Sequence, residues 1–199
     1  MSSSLSSLDR LRLFLRPPGR GIPTISTGGG HAAPLLHELY GTDQVKEVQS
    51  AWEDSLQRIR RVDTMVLGIP SDTGAGILRG ANMGPIGVRQ AYFKQFIQYP
   101  KNVLDLGDVV CVPQLLHDEM LSDSQKTATR EALYGDLKDE PLPVAPLSIA
   151  EEALAALNEL NPSARICLIG GDHSVSWPAM IHCHKRFGDD FAVLHFDPV

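Results

Sequence analysis

Arg165-Ile-Cys-Leu-Ile-Gly-Gly-Asp-His-Ser174 is the stretch whose reading decides the fold. A short apolar run, Arg165–Ile169, ends in two glycines and then presents an acid, an imidazole and a hydroxyl in succession. Glycine lets the backbone turn sharply at such a point. A helix carrying Pro178 in its first turn is predicted from there to about Phe187. A buried strand that ends in a turn and feeds a helix is the unit of a parallel sheet.

The same unit recurs on both sides. Upstream, Thr64–Ile69 is an apolar run ending at Pro70, and Val103–Leu106 is another, followed by Gly107-Asp108. Downstream, Phe191–Phe196 reads as a fourth strand. Asp43–Arg60 is predicted as a helix, with Val45, Val48, Trp52, Leu56 and Ile59 at spacings of three and four. Gly84-Pro85 opens a helix to about Tyr99. Residues 111–147 are less regular, with a short helix around Ser124–Leu133 and a loop at Pro141, Pro143 and Pro146. Ser148 with Glu151 has the form of a capping box, ahead of a helical face of Ile149, Ala153, Ala156, Leu157 and Leu160. The pattern predicts an α/β domain with a parallel sheet covered on both faces, and no internal repeat. Ligands in such sheets bind beyond the carboxyl ends of the strands.

Two strand ends carry candidate chemistry. Asp172, His173 and Ser174 offer a metal ligand with a carboxylate beside it. The alternative is that Asp172 and Ser174 cap the following helix while His173 packs. Asp197 ends the fourth strand and shares a face with His195, with Phe196 on the other. An acid at a strand end is often a helix cap, and two such ends make no metal site alone, because a divalent ion takes four to six ligands. The loop from Ser71 to Pro85 is glycine-rich but lacks the phosphate-binding and dinucleotide spacings, so it is expected to shape a pocket wall. His182-Cys183-His184 falls mid-helix, where residues two apart do not face one another, so joint ligation is not expected.

Composition narrows the class. The net charge of −6 disfavours a nucleic-acid partner, and no apolar run approaches the length of a membrane span. Cys111, Cys167 and Cys183 have no paired spacing, and Cys167 within its apolar run is expected to be buried. A reducing compartment is favoured, and the cytoplasm is the expected location. Residues 1–42 differ: Met1–Ser7 is rich in serine, and Arg10, Arg12, Arg16 and Arg20 stand against Asp9 alone. Both a disordered tail and a mitochondrial targeting segment fit that bias. The folded domain is expected over 43–199.

In order, these segments resemble the ureohydrolases, the family of arginase, agmatinase, guanidinobutyrase and formimidoylglutamase. The matching stretches are Val66-Leu-Gly-Ile-Pro with Asp72 and Gly74, then Arg79-Gly80 through Gly84-Pro85 to Val88-Arg89. Asp105-Leu-Gly-Asp108, Leu168-Ile-Gly-Gly-Asp-His-Ser174 and Val193-Leu-His-Phe-Asp197 follow. The wide first loop is closer to agmatinase-like members. The resemblance implies a three-layer α/β/α fold, assembly as a trimer or hexamer, and two Mn²⁺ ions bridging a hydroxide that attacks a guanidino or formimidoyl carbon. It makes His173 a metal ligand and Asp197 the first acid of the family's Asp-Ala-His-x-Asp motif. The sequence continues with Pro198-Val199 instead. Two of six ligand positions are therefore present, with no identifiable catalytic residue and no assignable substrate contacts. The expectation is an amino-terminal portion of the family domain, truncated on its carboxyl-terminal side and inactive alone. The alternative is a non-enzymatic paralogue that acts by association with a full-length subunit or another partner.

Overall fold

The computed structural model describes residues 5–23 and 28–197. The strands are β1 (Leu15–Arg16), β2 (Thr64–Ile69), β3 (Val103–Val109) and β4 (Arg165–Gly170). The helices are α1 (Ser7–Phe14), α2 (Ala33–Tyr40), α3 (Val45–Leu56), α4 (Gly84–Gln95), α5 (Asp123–Tyr134), α6 (Pro146–Leu160) and α7 (Ser176–Phe187). The sheet order is β1-β3-β2-β4. β3 and β4 flank β2 in parallel, and β1 adds an antiparallel pair, Leu15 with Val109 and Arg16 with Asp108.

Alternation along the strands assigns the layers. Met65, Leu67 and Ile69 of β2 and Leu104 and Leu106 of β3 share one core with Leu11 and Phe14 of α1 and with Ile149, Ala153, Leu154 and Leu157 of α6. Trp52 of α3 joins it and donates from its indole nitrogen to the Leu106 carbonyl at 2.9 Å. Gly68, Asp105 and Asp108 face the other way, where α4 presents Arg89. A smaller core holds Leu35 and Leu36 of α2, Val48 of α3 and Ile86 of α4. The result is the expected α/β/α layering.

Asp105 and Asp108 are three residues apart and would point to opposite faces of a regular strand. The register between β2 and β3 shifts between Val66 and Gly68, and Gly107 sits at φ +87° inside that bulge. The extra residue turns Asp108 to the side of Asp105.

Several expectations are corrected. The tail reading of residues 1–42 fails over the described part, because Leu11, Phe14 and Leu15 are fully buried and α2 supplies Leu35 and Leu36 to the second core. The excess of arginine is matched across space instead: Arg10 pairs with Glu152 and Glu159 of α6, and Arg16 donates to the carbonyls of Arg12, Leu13 and Leu15. Residues 1–4 lie outside the described residues. The Ser148 capping box does not form, because Pro146 starts α6 two residues earlier and the Asp118 carboxylate accepts from the Val144 and Ala145 amides. Ser148 is buried and accepts from the Asp118 amide. The capping box that does form is Ser122 with Gln125, at the start of α5. Val45 is 64% exposed, since α3 begins there and turns only Val48, Trp52 and Leu56 inward. Cys167 is exposed because β4 is an edge strand with one neighbour, β2. Phe191–Phe196 forms no strand: with no ladder partner and no covering layer, Val193, Leu194 and Phe196 stand in solvent. Among the described residues, no helix is long and apolar enough to cross a membrane.

Candidate functional site

The carboxyl ends of β2 and β4 are joined by two backbone hydrogen bonds. The Gly171 amide donates to the Ile69 carbonyl at 3.1 Å, and the Asp172 amide donates to the Ser71 carbonyl at 3.0 Å. This approach needs glycine, since a Cβ at Gly171 would overlap the Ser71 carbonyl oxygen. Asp172 then caps the 3-10 turn His173–Val175 that enters α7, accepting from the Ser174 amide at 2.8 Å and from the Ser174 hydroxyl. Its second oxygen, Oδ2, is buried without a hydrogen-bond partner. The capping role of Asp172 is therefore real, but His173 does not pack. Its ring is exposed at the rim.

The loop after β2 is braced from within. The buried Asp72 carboxylate pairs with Arg79 at 2.8 Å and accepts from the Gly80 amide at 2.7 Å, while the Thr73 hydroxyl donates to the Pro113 carbonyl at 2.9 Å. A buried acid in this place opposes phosphate binding. Further along, Asn82, Met83 and Pro85 line a cavity of about 200 Å³ with Gly19, Ile22 and His31. The loop thus forms a pocket wall, although the lining includes neither Asp172 nor His173.

Behind the rim lies a charge cluster whose chemistry the sequence did not announce. Arg89, fully buried on α4, donates to both oxygens of Asp105 at 2.8 Å each, to Asp108 at 2.6 Å and to the Gly107 carbonyl at 2.9 Å. The Gly19 amide donates to the other Asp108 oxygen at 2.7 Å, and the Tyr99 hydroxyl donates to Asp105 at 3.1 Å. Burial pushes the Asp108 carboxyl up against the pull of Arg89, whose single charge is divided between two acids. Both acids lie within the quoted motif, yet only the bulge at Gly107 brings them to one cation. This cluster fixes α4 to the sheet and so holds the base of the rim.

Asp197 is exposed in the unpaired segment, and among the described residues no three His, Cys, Asp or Glu side chains are grouped as a metal ion would need. A two-ion centre does not fit these residues alone. The ring that does approach His173 is His195, with ring centres 5.1 Å apart and planes at 55°. On α7, His182 is half-buried while His184 is exposed near Asp189, so the His-Cys-His stretch does not act jointly. Burial, with Arg186 and Lys185 nearby, holds the His182 imidazole below its usual value.

Comparison with known proteins bears on what this rim is. The arginase family model matches residues 62–198, from just before β2 onward. The chain belongs to the arginase family. It is 30% identical over 181 residues to the agmatinase of Chromobacterium violaceum, covering 84% of this chain and 48% of that protein. A putative agmatinase 3 of Schizosaccharomyces pombe is 24% identical over 155 residues, covering 71% of this chain and 35% of the relative. Arginase 2, chloroplastic/mitochondrial, of Arabidopsis thaliana is 25% identical over 137 residues, covering 69% and 36%. The chain thus spans between about a third and a half of the length of these curated relatives. In this arginase-family chain the matched region holds the rim and the Arg89 cluster, while α1, β1, α2 and α3 precede it.

Proposed function

We propose that the whole protein is an agmatinase-like ureohydrolase that hydrolyses a guanidino or formimidoyl C–N bond with Mn²⁺ as cofactor. The observation that carries this reading is the Gly170-Gly171-Asp172-His173 turn, exposed at the carboxyl end of β4 within the stretch matched to the arginase family. In this reading His173 and Asp197 are metal ligands, Asp172 fixes the turn that carries His173, and the chain, with α1 and α2 packed into its cores, is the amino-terminal part of the catalytic domain. Residues 1–199 are inactive by themselves in this reading, since among the described residues no three His, Cys, Asp or Glu side chains are grouped to hold an ion. We further propose a cytoplasmic homo-oligomer, a trimer or hexamer.

The test has two parts. Transcript sequencing past the Val199 codon is expected to reveal an Asp-Ala-His-x-Asp reading and a later Asp-x-Asp, in frame or after one shift. The encoded protein, loaded with Mn²⁺, is then assayed for urea from agmatine, arginine and guanidinobutyrate and for formamide from formimidoylglutamate. Release of neither product refutes the reading. Urea release by residues 1–199 alone refutes the inactivity. A second reading is favoured by the open edge of β4 and the exposed Val193, Leu194 and Phe196. There the chain is a non-enzymatic paralogue that associates with a full-length subunit. Co-purification with a longer homologue supports it, and a monodisperse monomer opposes it.

A further inference from the structure

We propose that the cleft at the amino end of β3, walled by α2, α3 and the connection from α4 to β3, binds a small aromatic carboxylate. The cleft lies at the opposite end of the sheet from the rim, with Val103, Leu104 and Asp105 as its floor. None of its lining residues belongs to β4, α7 or the segment after them, so it stands apart from the hydrolytic reading and from the open side of the sheet. Its volume of about 440 Å³ falls within the range of small-molecule sites, about 300–1,000 Å³.

The walls are aromatic and held in place by one another. Phe93 of α4 meets Tyr99 edge to face with ring centres 5.0 Å apart, and Tyr92 stacks on Tyr99 at 4.8 Å. Tyr40, the last residue of α2, lines the cleft with Phe93 and Tyr99. Three rings around one space suit a flat apolar group. The polar groups then decide its charge. Asp105 has no capacity left for a ligand. Its Oδ1 accepts from Arg89 and from the Gly107 amide, and its Oδ2 accepts from Arg89 and from the Tyr99 hydroxyl. Four donors fill a carboxylate, and Arg89 already offsets its charge.

What the cleft still offers is donors. Among the described residues the Tyr40 hydroxyl has no hydrogen-bond partner. Burial, with the Asp105 carboxylate nearby, pushes the Tyr40 phenol up, so it keeps its proton and can donate it to an acceptor. At the mouth Arg58 donates to the Lys101 carbonyl at 2.9 Å, and among the described residues neither cation is in an ion pair. Glu38 is the opposing charge there, so the cations outnumber the uncommitted acids two to one. A single carboxylate on an aromatic ring matches this set, because it accepts from the phenol and the cations while bringing one charge only past Glu38.

The experiment titrates the isotope-labelled full chain of 199 residues with benzoate and follows the backbone amides by NMR. Benzylamine and acetate serve as the probes of opposite charge and of no ring. Benzoate should shift the amides of residues 38–40 and 98–104 saturably, leave those of 170–175 in place and raise the melting temperature. Benzylamine and acetate should each bind at least about 10-fold more weakly, since one loses the charged acceptor and the other the ring. Y40F removes the hydroxyl alone and should weaken benzoate by about 2–12-fold, the net effect of one hydrogen bond. K101Q should weaken it by about 1.4–5-fold, and E38Q should strengthen it by a similar factor. Lys101 and Glu38 are exposed, so these two variants should melt as wild type in the absence of benzoate. Wild-type affinity in both Y40F and K101Q would overturn the proposal. So would benzylamine or acetate binding as well as benzoate, shifts confined to residues outside the cleft, or no saturable shift at all. None of these outcomes bears on the ureohydrolase reading, which the urea and formamide assays decide.

Discussion

Replacing Arg89 by methionine should bring the domain close to unfolding at neutral pH and spare it in acid. Arg89 makes four hydrogen bonds from a site with no solvent exposure, and its partners Asp105 and Asp108 have side chains 4% and 2% exposed. Methionine fills most of the volume but leaves two carboxylates with one hydroxyl and two amide donors between them. Breaking a buried pair by removing one partner costs about 3–5 kcal/mol. Domains of this size are stable by about 5–15 kcal/mol, so R89M stands near the threshold. The sign with pH follows from the orphaned acids. Without the cation their folded-state values rise above the unfolded carboxylate value, so folding takes up protons. Stability contributed by their neutral forms is fully present below the unfolded value and is lost as pH rises through the folded one. Urea denaturation followed by the fluorescence of the buried Trp52 is the assay, run from pH 5 to pH 8. The deficit of R89M should shrink toward pH 5, and adding D108N should recover about 1 kcal/mol or more at pH 7, since one uncompensated charge is removed. A deficit below about 1 kcal/mol, or one equal at all pH values, would show that the cluster does not hold α4 to the sheet.

Other outcomes can be stated briefly. Burial pushes the Cys111 thiol up to about 12, which leaves roughly 1 in 10,000 molecules as thiolate at pH 8. Native protein should therefore release two equivalents of thionitrobenzoate from Ellman's reagent, at the exposed Cys167 and the half-buried Cys183, with a third only after denaturation. G171A should lower stability by about 1–3 kcal/mol, because the new methyl must push Ser71 away from β4; an unchanged melting temperature would contradict the tie between the two loops. Deletion of residues 1–16 should abolish cooperative melting, since Leu11, Phe14 and Leu15 leave the main core. A removable tail would leave the melt intact. L11A alone should cost about 2–5 kcal/mol.

Most of the framework was legible because it follows from local periodicity. β2 and β4 are short apolar runs closed by Pro70 and by Gly170-Gly171, whereas β3 runs past its expected end at Leu106, through the Gly107 bulge to Val109. α4, α6 and α7 start at or near a proline that needs no amide donor. What escaped depends on distant partners. The arginines of α1 look like a tail until Glu152 and Glu159 of α6 are placed beside Arg10, some 140 residues away in sequence. The apolar spacing of Leu8, Leu11 and Phe14 was visible but was outweighed by charge composition. Cys167 and Phe191–Phe196 were expected inside because an apolar run implies a neighbour on each side, and β4 has one only. At the rim, the sequence marked Asp172 and His173 correctly as residues just beyond a strand end, whereas Asp197 follows a segment that forms no strand. It could not tell that the ring nearest His173 would be His195, because that depends on the path of the chain after α7.

The two-residue strand β1 has an effect out of proportion to its length. It is followed at once by Pro17-Pro18, which have no amide hydrogen for a further ladder, so it blocks the Asp108–Val109 end of the β3 edge against extension. β4, with six residues and a single neighbour, is left as the side open to growth. On the ribosome the sealing residues are made before β2, β3 or β4 exists. Among the described residues, β4 is therefore the side of the sheet that offers an incoming strand an edge open along its whole length.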